Sequence, residues 1–303
     1  MRTSEDDEAS GTGNGGADAR GAPSSPRSAA VTAALFDSHS HLAFQAFDED
    51  REAVVERART AGVVGCIAVA VDGASARAAR TLARSLPRWA WATAGIHPTE
   101  KAVTDEAAWR DIVDLLSEGG FVAVGETGLD AFHECASLDA QAASLHRHLD
   151  LAFRHRLPVV LHCRDAFPRL AKELLAWRGA PVAGVLHCFT GGPGDVAPLL
   201  DAGLHIGVGG AATYKPNVAL RAAVREVPLE RLLLETDAPW LAPVPVRGRR
   251  NEPAFIAHVA ALLAAERNLP TDRLANATTA NAQRLFGLPQ GEAEAALSPR
   301  RPA

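Results

Sequence analysis

Two histidines, His39 and His41, stand two positions apart at the end of an apolar run that begins at Leu35. Side chains two positions apart on an extended strand lie on the same face, so both imidazoles face the same way. Imidazole nitrogens are common ligands of divalent metals, and a strand offers two of them in this manner. The pair therefore predicts a metal site at the end of the first strand.

Ionisable residues also end four later apolar runs. With the first pair, the set is His39, His41, Glu126, His162, His187 and Asp237. Mixed nitrogen and oxygen donors of this kind suit two divalent ions. The alternative interpretation is that each histidine is a hydrogen-bonded structural residue. Burying this many polar groups without a partner would cost much free energy, so the metal interpretation is favoured.

The apolar runs predict eight strands that alternate with helices. The strands are expected to begin near Leu35, Gly65, Trp89, Phe121, Leu157, Val182, Leu204 and Arg231. Segments with helical periodicity lie at 48–61, 74–86, 106–118, 138–155, 167–177, 195–201, 217–227, 252–267 and 271–286. Eight β/α units indicate an α/β protein with a (β/α)8 TIM barrel fold, which places functional residues at the carboxyl ends of its strands. A doubly wound open sheet is the competing architecture.

The composition excludes several classes of protein. The 303 residues carry a net charge of −5, which argues against a protein that coats nucleic acid by bulk electrostatics. It does not argue against an enzyme that holds one strand end with a few arginines. No apolar run reaches the length of about 18 residues that a membrane span needs. The four cysteines lack paired spacing, which is typical of reduced thiols and favours a cytoplasmic location.

The two ends of the chain differ from its middle. Residues 1–33 contain almost no large apolar side chain, so we expect a disordered N-terminal tail. Residues 289–303, which are rich in Pro and Arg near the end, are expected to form a flexible C-terminal tail. The barrel is therefore expected to span residues 34–288.

Seven stretches, in this order, carry a resemblance to a known family: FDSHSHL, GIHPTE, VGETGLD, LPVVLHCRDA, LHCFTGG, LLLETDAPWLAP and RGRRNEP. They resemble the TatD family of metal-dependent deoxyribonucleases, within the amidohydrolase-like barrels. The resemblance implies that His39, His41, Glu126 and Asp237 hold one metal. It also implies that Glu126, His162 and His187 hold a second metal, with Glu126 bridging the two ions.

The lysine inventory is consistent with a glutamate bridge. Many two-metal barrels of this superfamily bridge their ions with a carboxylated lysine on the fourth strand. The chain has three lysines, Lys101, Lys172 and Lys215, and none lies at that strand end. Glu126 is the bridge that this sequence can provide.

Three residues are candidate substrate contacts. His97, in GIHP, either contacts a substrate phosphate or has a structural role. Arg164 either orients a phosphate or pairs with Asp165. Arg250, in the basic segment 247–250, would hold a phosphodiester through two hydrogen bonds, the alternative being a solvated charge cluster.

Aromatic residues and departures from the family pattern also concern the substrate pocket. Trp240 and Phe189 could stack on a nucleobase, but core packing is the favoured interpretation for both. The segments AFHECASLD, after Asp130, and IGVGGAATYKPN depart from the usual family pattern. Cys163 stands where a serine is common. These departures do not touch the six metal residues.

The resemblance implies hydrolysis of nucleic acid from the 3′ end of a DNA strand, with RNA as a second candidate substrate. Two divalent ions would hold the attacking and leaving oxygens of a phosphodiester, and Asp237 would take the proton of the water as general base. Mg²⁺ or Mn²⁺ is expected, although such ligands also accept Zn²⁺. The alternatives are an ester or amide hydrolase on the same site, such as an aminoacyl-tRNA deacylase, and a non-catalytic scaffold. The oligomeric state is left open.

Overall fold

Eight parallel strands form one sheet in the order in which they occur in the chain. The computed structural model describes residues 33–133, 135–179 and 181–289. The strands are β1 (Leu35–Ser40), β2 (Val63–Ala68), β3 (Ala90–Ala94), β4 (Ala123–Asp130), β5 (Val159–Arg164), β6 (Gly184–Leu186), β7 (Leu204–Val208) and β8 (Leu232–Leu234). Each strand pairs with its neighbours in sequence, which rules out the doubly wound alternative, since that fold reverses its strand order. The predicted (β/α)8 barrel is confirmed.

Helices follow the strands on the outside of the barrel. They are α1 (Arg51–Thr60), α2 (Gly73–Ser85), α3 (Glu106–Glu118), α4 (Leu138–His155), α5 (Phe167–Ala176), α6 (Pro193–Asp201), α7 (Val218–Glu226), α8 (Ile256–Glu266) and α9 (Thr271–Leu285). The predicted bounds of α3 and α4 match the structure. The helix predicted over 252–267 begins later in the structure, because Pro253–Phe255 forms a separate 3-10 turn before α8.

The first and last strands meet at a seam that has few backbone hydrogen bonds. A single isolated bridge joins Ser40 to Ala238. Side chains strengthen the contact: the Ser38 hydroxyl donates to the Leu234 carbonyl at 2.9 Å, and Asp37 accepts hydrogen bonds from Thr236. The seam therefore depends on polar side chains that lie beside the predicted metal residues.

The inside of the barrel is apolar at one end and polar at the other. Val160, Val185 and Leu233 belong to the interior cluster, and the residues two positions later on the same strands are His162, His187 and Glu235. Because side chains alternate along a strand, these pairs lie one above the other on the inner face. Phe286 and Leu288, after α9, pack against the apolar layer and close its lower end.

The other expectations concern the cysteines, membrane spans, the location and the two ends of the chain. All four cysteines are free thiols, as predicted. Among the described residues, no helix has the length and apolar character needed to cross a bilayer. The cytoplasmic location stays a prediction. The disorder predicted for residues 1–33 concerns, apart from residue 33, a segment outside the described residues, and so does most of the predicted tail at 289–303.

Candidate active site

The structure brings all six predicted metal residues together at the carboxyl ends of β1, β4, β5, β6 and β8. Five of them are buried and His162 is half-buried. Their donor atoms form overlapping groups in which all atoms lie within 4.8 Å of one another. The predicted convergence is therefore observed, while the role of each residue as a ligand belongs to the proposal below.

The first group consists of four donor atoms at similar separations. His39 Nε2 lies 3.2 Å from His41 Nε2 and 3.4 Å from Glu126 Oε2. Asp237 Oδ1 lies 3.4 Å from His41 Nε2 and 3.7 Å from His39 Nε2. Two nitrogens bound tetrahedrally to Zn²⁺ would lie about 3.3 Å apart. The four atoms therefore have the spacing of a coordination shell around one ion.

The other carboxylate oxygen of Glu126 faces a second group. Glu126 Oε1 lies 2.7 Å from His187 Nε2 and 3.4 Å from His162 Nδ1, and these two nitrogens lie 3.5 Å apart. His97 Nε2 is also 3.4 Å from Glu126 Oε1. Each oxygen of Glu126 thus faces a different set of imidazoles, which is the arrangement of a carboxylate that bridges two ions. His97, predicted as a substrate contact, lies at the edge of this second group.

The charge states of Glu126 and His39 suit cation binding, whereas the pKa of His162, despite its burial, is raised to about 9 by Asp130 and Glu126. Burial opposes ionisation of Glu126, but the nearby imidazoles of His187, His97 and His39 outweigh it and hold its pKa well below the usual value. Burial lowers the pKa of His39 to about 4, with His187 adding to the effect. His41 directs Nδ1 at the Val69 carbonyl, 3.1 Å away, so Nε2 is the nitrogen that faces the site. Burial opposes protonation of His41, but Asp237 and Glu126 outweigh it and raise its pKa.

Two glycines make room for the acidic residues. Gly125 has a φ of +139°, and a Cβ there would strike the Val160 carbonyl on β5. Only glycine therefore allows β4 to approach β5 this closely just before Glu126. A Cβ at Gly207 would strike Glu235 Oε2. Both positions therefore require glycine if the polar side chains at the mouth of the barrel are to keep their places.

Asp130 is a site residue that the sequence analysis did not identify. Its Oδ2 lies 2.9 Å from His162 Nε2 and 3.0 Å from His133 Nδ1. Burial opposes its ionisation, but hydrogen bonds from His162 and His133 lower its pKa. Because Nε2 of His162 donates to Asp130, Nδ1 is the nitrogen that faces Glu126. The sequence feature that could have identified Asp130 is its position at the end of the VGETGLD motif, which also contains Glu126.

Glu235 is a second site residue that the sequence pattern does not single out. It is fully buried, and burial raises its pKa well above the usual value, with Asp237 and Asp37 adding repulsion. One of its oxygens accepts a hydrogen bond from the Cys188 backbone N–H, and Oε2 has no partner among the described residues. Glu235 therefore holds the segment directly after His187 in place.

The two arginines that were predicted to hold phosphate have protein partners. The Arg164 guanidinium lies over the ring of Phe132 at 3.9 Å, and no hydrogen bond joins it to Asp165 within the described ranges. Arg250 donates to Asp50 Oδ2 at 2.7 Å and to the Ala46 carbonyl at 2.6 Å. These contacts neither require nor forbid a substrate, so both assignments stay predictions.

Phe189 and Trp240, the two aromatic residues that could stack on a nucleobase, have different environments. Phe189 is buried, as core packing requires. Core packing was the wrong interpretation for Trp240, which is 49% exposed. The indole reaches the surface because Trp240 lies in the turn that follows Pro239, beyond the last barrel strand.

The fold and the donor atoms at its mouth define a metal-dependent hydrolase of the (β/α)8-barrel class. The chain belongs to the TatD family: the family model described as TatD related DNase matches residues 36–287. The resemblance that the motifs indicated is thereby confirmed.

Individual relatives agree with this assignment. The chain is 36% identical over 259 residues to the 3′-5′ ssDNA/RNA exonuclease TatD of Pectobacterium carotovorum, a match covering 84% of this chain and 100% of the relative. It is 38% identical to the protein of the same name from Erwinia amylovora, with the same coverage. A solved TatD homologue from Escherichia coli superimposes with a TM-score of 0.78 at 33% identity, covering 84% of this chain and 98% of that one.

Proposed function

We propose that this protein is a metal-dependent 3′-5′ exonuclease that hydrolyses phosphodiester bonds of single-stranded DNA and RNA. The observation that carries the proposal is the division of the donor atoms into two groups that share Glu126. The substrate and the direction are inferred from the two relatives at 36% and 38% identity, which are 3′-5′ ssDNA/RNA exonucleases.

The donor atoms fit two divalent ions. His39, His41, Asp237 and Glu126 Oε2 would hold one ion, and Glu126 Oε1, His162 and His187 the other. Divalent ions in such a site lower the pKa of water and neutralise charge on the phosphodiester. We propose Mg²⁺ or Mn²⁺ as the ions in the cell, and the imidazole-rich set also accepts Zn²⁺.

Asp237 is the residue that would take a proton from the attacking water. Burial opposes its ionisation, but the hydrogen bond with His41 and the nearby His187 outweigh it and lower its pKa. The carboxylate is therefore ionised at neutral pH. Its side chain is 12% exposed, against 0% for His39 and 2% for Glu126. Asp237 is thus the acidic residue of the first group that solvent reaches most easily.

Other protein residues would orient these groups. Asp130 fixes which nitrogen of His162 faces the site, and Glu235 holds the backbone at Cys188 beside His187. His97 lies close enough to Glu126 Oε1 to contact either a substrate phosphate or the second group. The protein part of the mechanism is thus a rigid, preoriented donor set.

The same site has two alternative functions. An ester or amide hydrolase, such as an aminoacyl-tRNA deacylase, would use the same ions on a different bond. A non-catalytic scaffold would not need six converging donors. The similarity to an ssDNA/RNA exonuclease and to the TatD related DNase family favours nucleic-acid phosphodiesters over both.

The test is a direct comparison of substrates. Purified protein with Mg²⁺ or Mn²⁺ is incubated with 5′-labelled single-stranded DNA, 5′-labelled RNA and aminoacyl-tRNA. We expect ladders that shorten from the 3′ end, which chelation with EDTA abolishes. Release of amino acid without shortening of any strand would contradict the proposal, and so would internal cuts from the outset.

A further inference from the structure

An exposed indole stands at the mouth of the barrel beside the first donor group. Trp240 follows Asp237 by three residues, and its ring centroid lies 4.9 Å from that of His41 at an interplanar angle of 71°. The Phe44 ring contacts it at 5.8 Å, also edge-to-face, at 87°. Among the described residues, no aromatic ring stacks flat on this indole, and the side chain is 49% exposed.

The backbone that carries Trp240 is fixed from both sides. Its N–H donates to the Asp237 carbonyl at 2.9 Å, and its own carbonyl accepts from Asn251 Nδ2 at 2.7 Å. Asn251 is fully buried and also bonds the carbonyl of Thr236 at 2.7 Å. These bonds hold the backbone at Trp240, and the edge-to-face contacts with His41 and Phe44 locate the indole, so a ligand would lose little free energy in ordering it.

Other exposed aromatic side chains lack this combination. Phe132 has the Arg164 guanidinium over its ring. Phe153 is 68% exposed but lies in the last turn of α4. Helices of this fold run back from the mouth, so Phe153 lies towards the opposite end of the barrel. Trp240 combines exposure, a fixed backbone and contact with a donor residue.

We propose that Trp240 is a stacking platform for the base of a nucleotide that flanks the scissile bond. This inference rests on the proposed function and adds a determinant of substrate choice to it. A base stacked on the indole has left its own helical stack, so the platform favours single strands over duplex ends. Stacking on aromatic residues tolerates every base, which suits an exonuclease that removes nucleotides one after another.

The experiment removes the base and the indole separately. Oligonucleotides carry an abasic residue at the 3′-terminal or the penultimate position, and kcat/KM is measured for the wild type, Trp240→Ala and Trp240→Phe. For the wild type we expect one abasic substrate to be cut roughly 5- to 150-fold less efficiently than the intact strand. In Trp240→Ala this dependence should fall to within about 2-fold, and Trp240→Phe should restore part of it. Phe153→Ala is the matched control and should keep the full wild-type dependence.

The outcomes separate the two proposals. If the wild type cuts DNA and Trp240→Ala, with unchanged bound metal, keeps the full base dependence, the platform is refuted and the exonuclease stands. Equal cutting of intact and abasic strands by the wild type also refutes the platform alone. If the wild type cuts no strand, the exonuclease proposal fails and the platform fails with it.

Discussion

Asp37 accepts two hydrogen bonds from Thr236, one from the backbone N–H at 2.9 Å and one from the hydroxyl at 2.6 Å. The two residues belong to opposite ends of the barrel sequence: Asp37 lies two positions before His39, and Thr236 directly precedes Asp237. Burial raises the pKa of Asp37 to about 7, although the hydrogen bonds from Thr236 oppose the rise. This contact, together with the bond from the Ser38 hydroxyl to the Leu234 carbonyl, joins β1 to the β8 side of the barrel next to the first donor group.

Thr236→Val should destabilise the seam. The substitution keeps the shape of the side chain but removes the hydroxyl donor, leaving a buried carboxylate oxygen without its partner, at a cost of about 1–3 kcal/mol. Urea unfolding measures the change. Thr278→Val is the matched control, because that hydroxyl donates to the Leu274 and Ala275 carbonyls within α9. Equal decreases in the free energy of unfolding in the two variants would show that the hydrogen bond to Asp37 stabilises the fold no more than the hydroxyl bonds within α9.

Asp130→Asn should weaken the second metal more than the first. The substitution removes the charge that orients His162, and loss of such a partner typically lowers metal affinity about 10- to 100-fold. Activity titrated with Mn²⁺ should therefore need more metal but recover at saturation. His133→Ala removes only the half-exposed partner of the same carboxylate and should have a smaller effect. An unchanged Mn²⁺ titration for Asp130→Asn would rule out the orienting role.

Asp237→Asn tests the proton acceptor. The amide keeps the shape and one acceptor oxygen but loses the basic site, so turnover should fall roughly 100- to 10,000-fold with the fold retained. Circular dichroism and bound-metal analysis are the controls. In contrast, His162→Ala should regain part of its activity in excess Mn²⁺. Near-normal turnover of Asp237→Asn with metal bound would assign Asp237 a structural role only.

His148 should make stability depend on pH. Its Nε2 accepts from the Ile96 N–H at 3.0 Å, beside His97, and burial lowers its pKa to about 4 from an ordinary 6.5. Between these pH values the unfolded chain binds a proton that the folded chain does not. The contribution of His148 to the free energy of unfolding is therefore complete above about pH 6.5 and is lost as the pH falls towards 4, by an amount of order 3 kcal/mol.

His148→Gln should flatten this dependence. Urea unfolding at several pH values between 4 and 7 gives the slope for the wild type and the variant. Part of the slope should remain, because burial also lowers the pKa of His39 and of His205 to about 4. A slope identical to that of the wild type would mean that His148 contributes no proton linkage.

Arg250 and Asp50 should behave as a pair. Because the Arg250 guanidinium bonds Asp50 and the Ala46 carbonyl, we expect Arg250→Ala and Asp50→Ala to change kcat/KM by a similar, few-fold factor. The double variant should then lose no more than either single variant. If Arg250 instead binds phosphate, Arg250→Ala alone should raise KM by roughly 10- to 100-fold. The double-mutant cycle on single-stranded DNA decides between the two roles.

The sequence predicts features that depend on periodicity and on the ends of strands. Eight apolar runs indicate the barrel, and the polar residues that follow them converge, because all strands of a parallel barrel end on one side. The partner of Arg250 could not be predicted in this way, since Asp50 lies 200 positions earlier in the chain. Asp130 and Glu235 stood within recognised motifs, but their partners depend on side-chain directions that spacing alone does not fix.

The seam between β1 and β8 also constrains when the site can form during synthesis. Thr236 and Asp37 are 199 positions apart, so the ribosome makes the first histidines long before the carboxylate that completes their group. A growing chain carries the other five donor residues before Asp237 is made. Until β8 joins β1, the side of the barrel mouth that supplies Asp237 is missing. A chain truncated before the eighth strand would therefore be inert and not a partly active nuclease. Completion of the barrel and acquisition of hydrolytic competence would be one event.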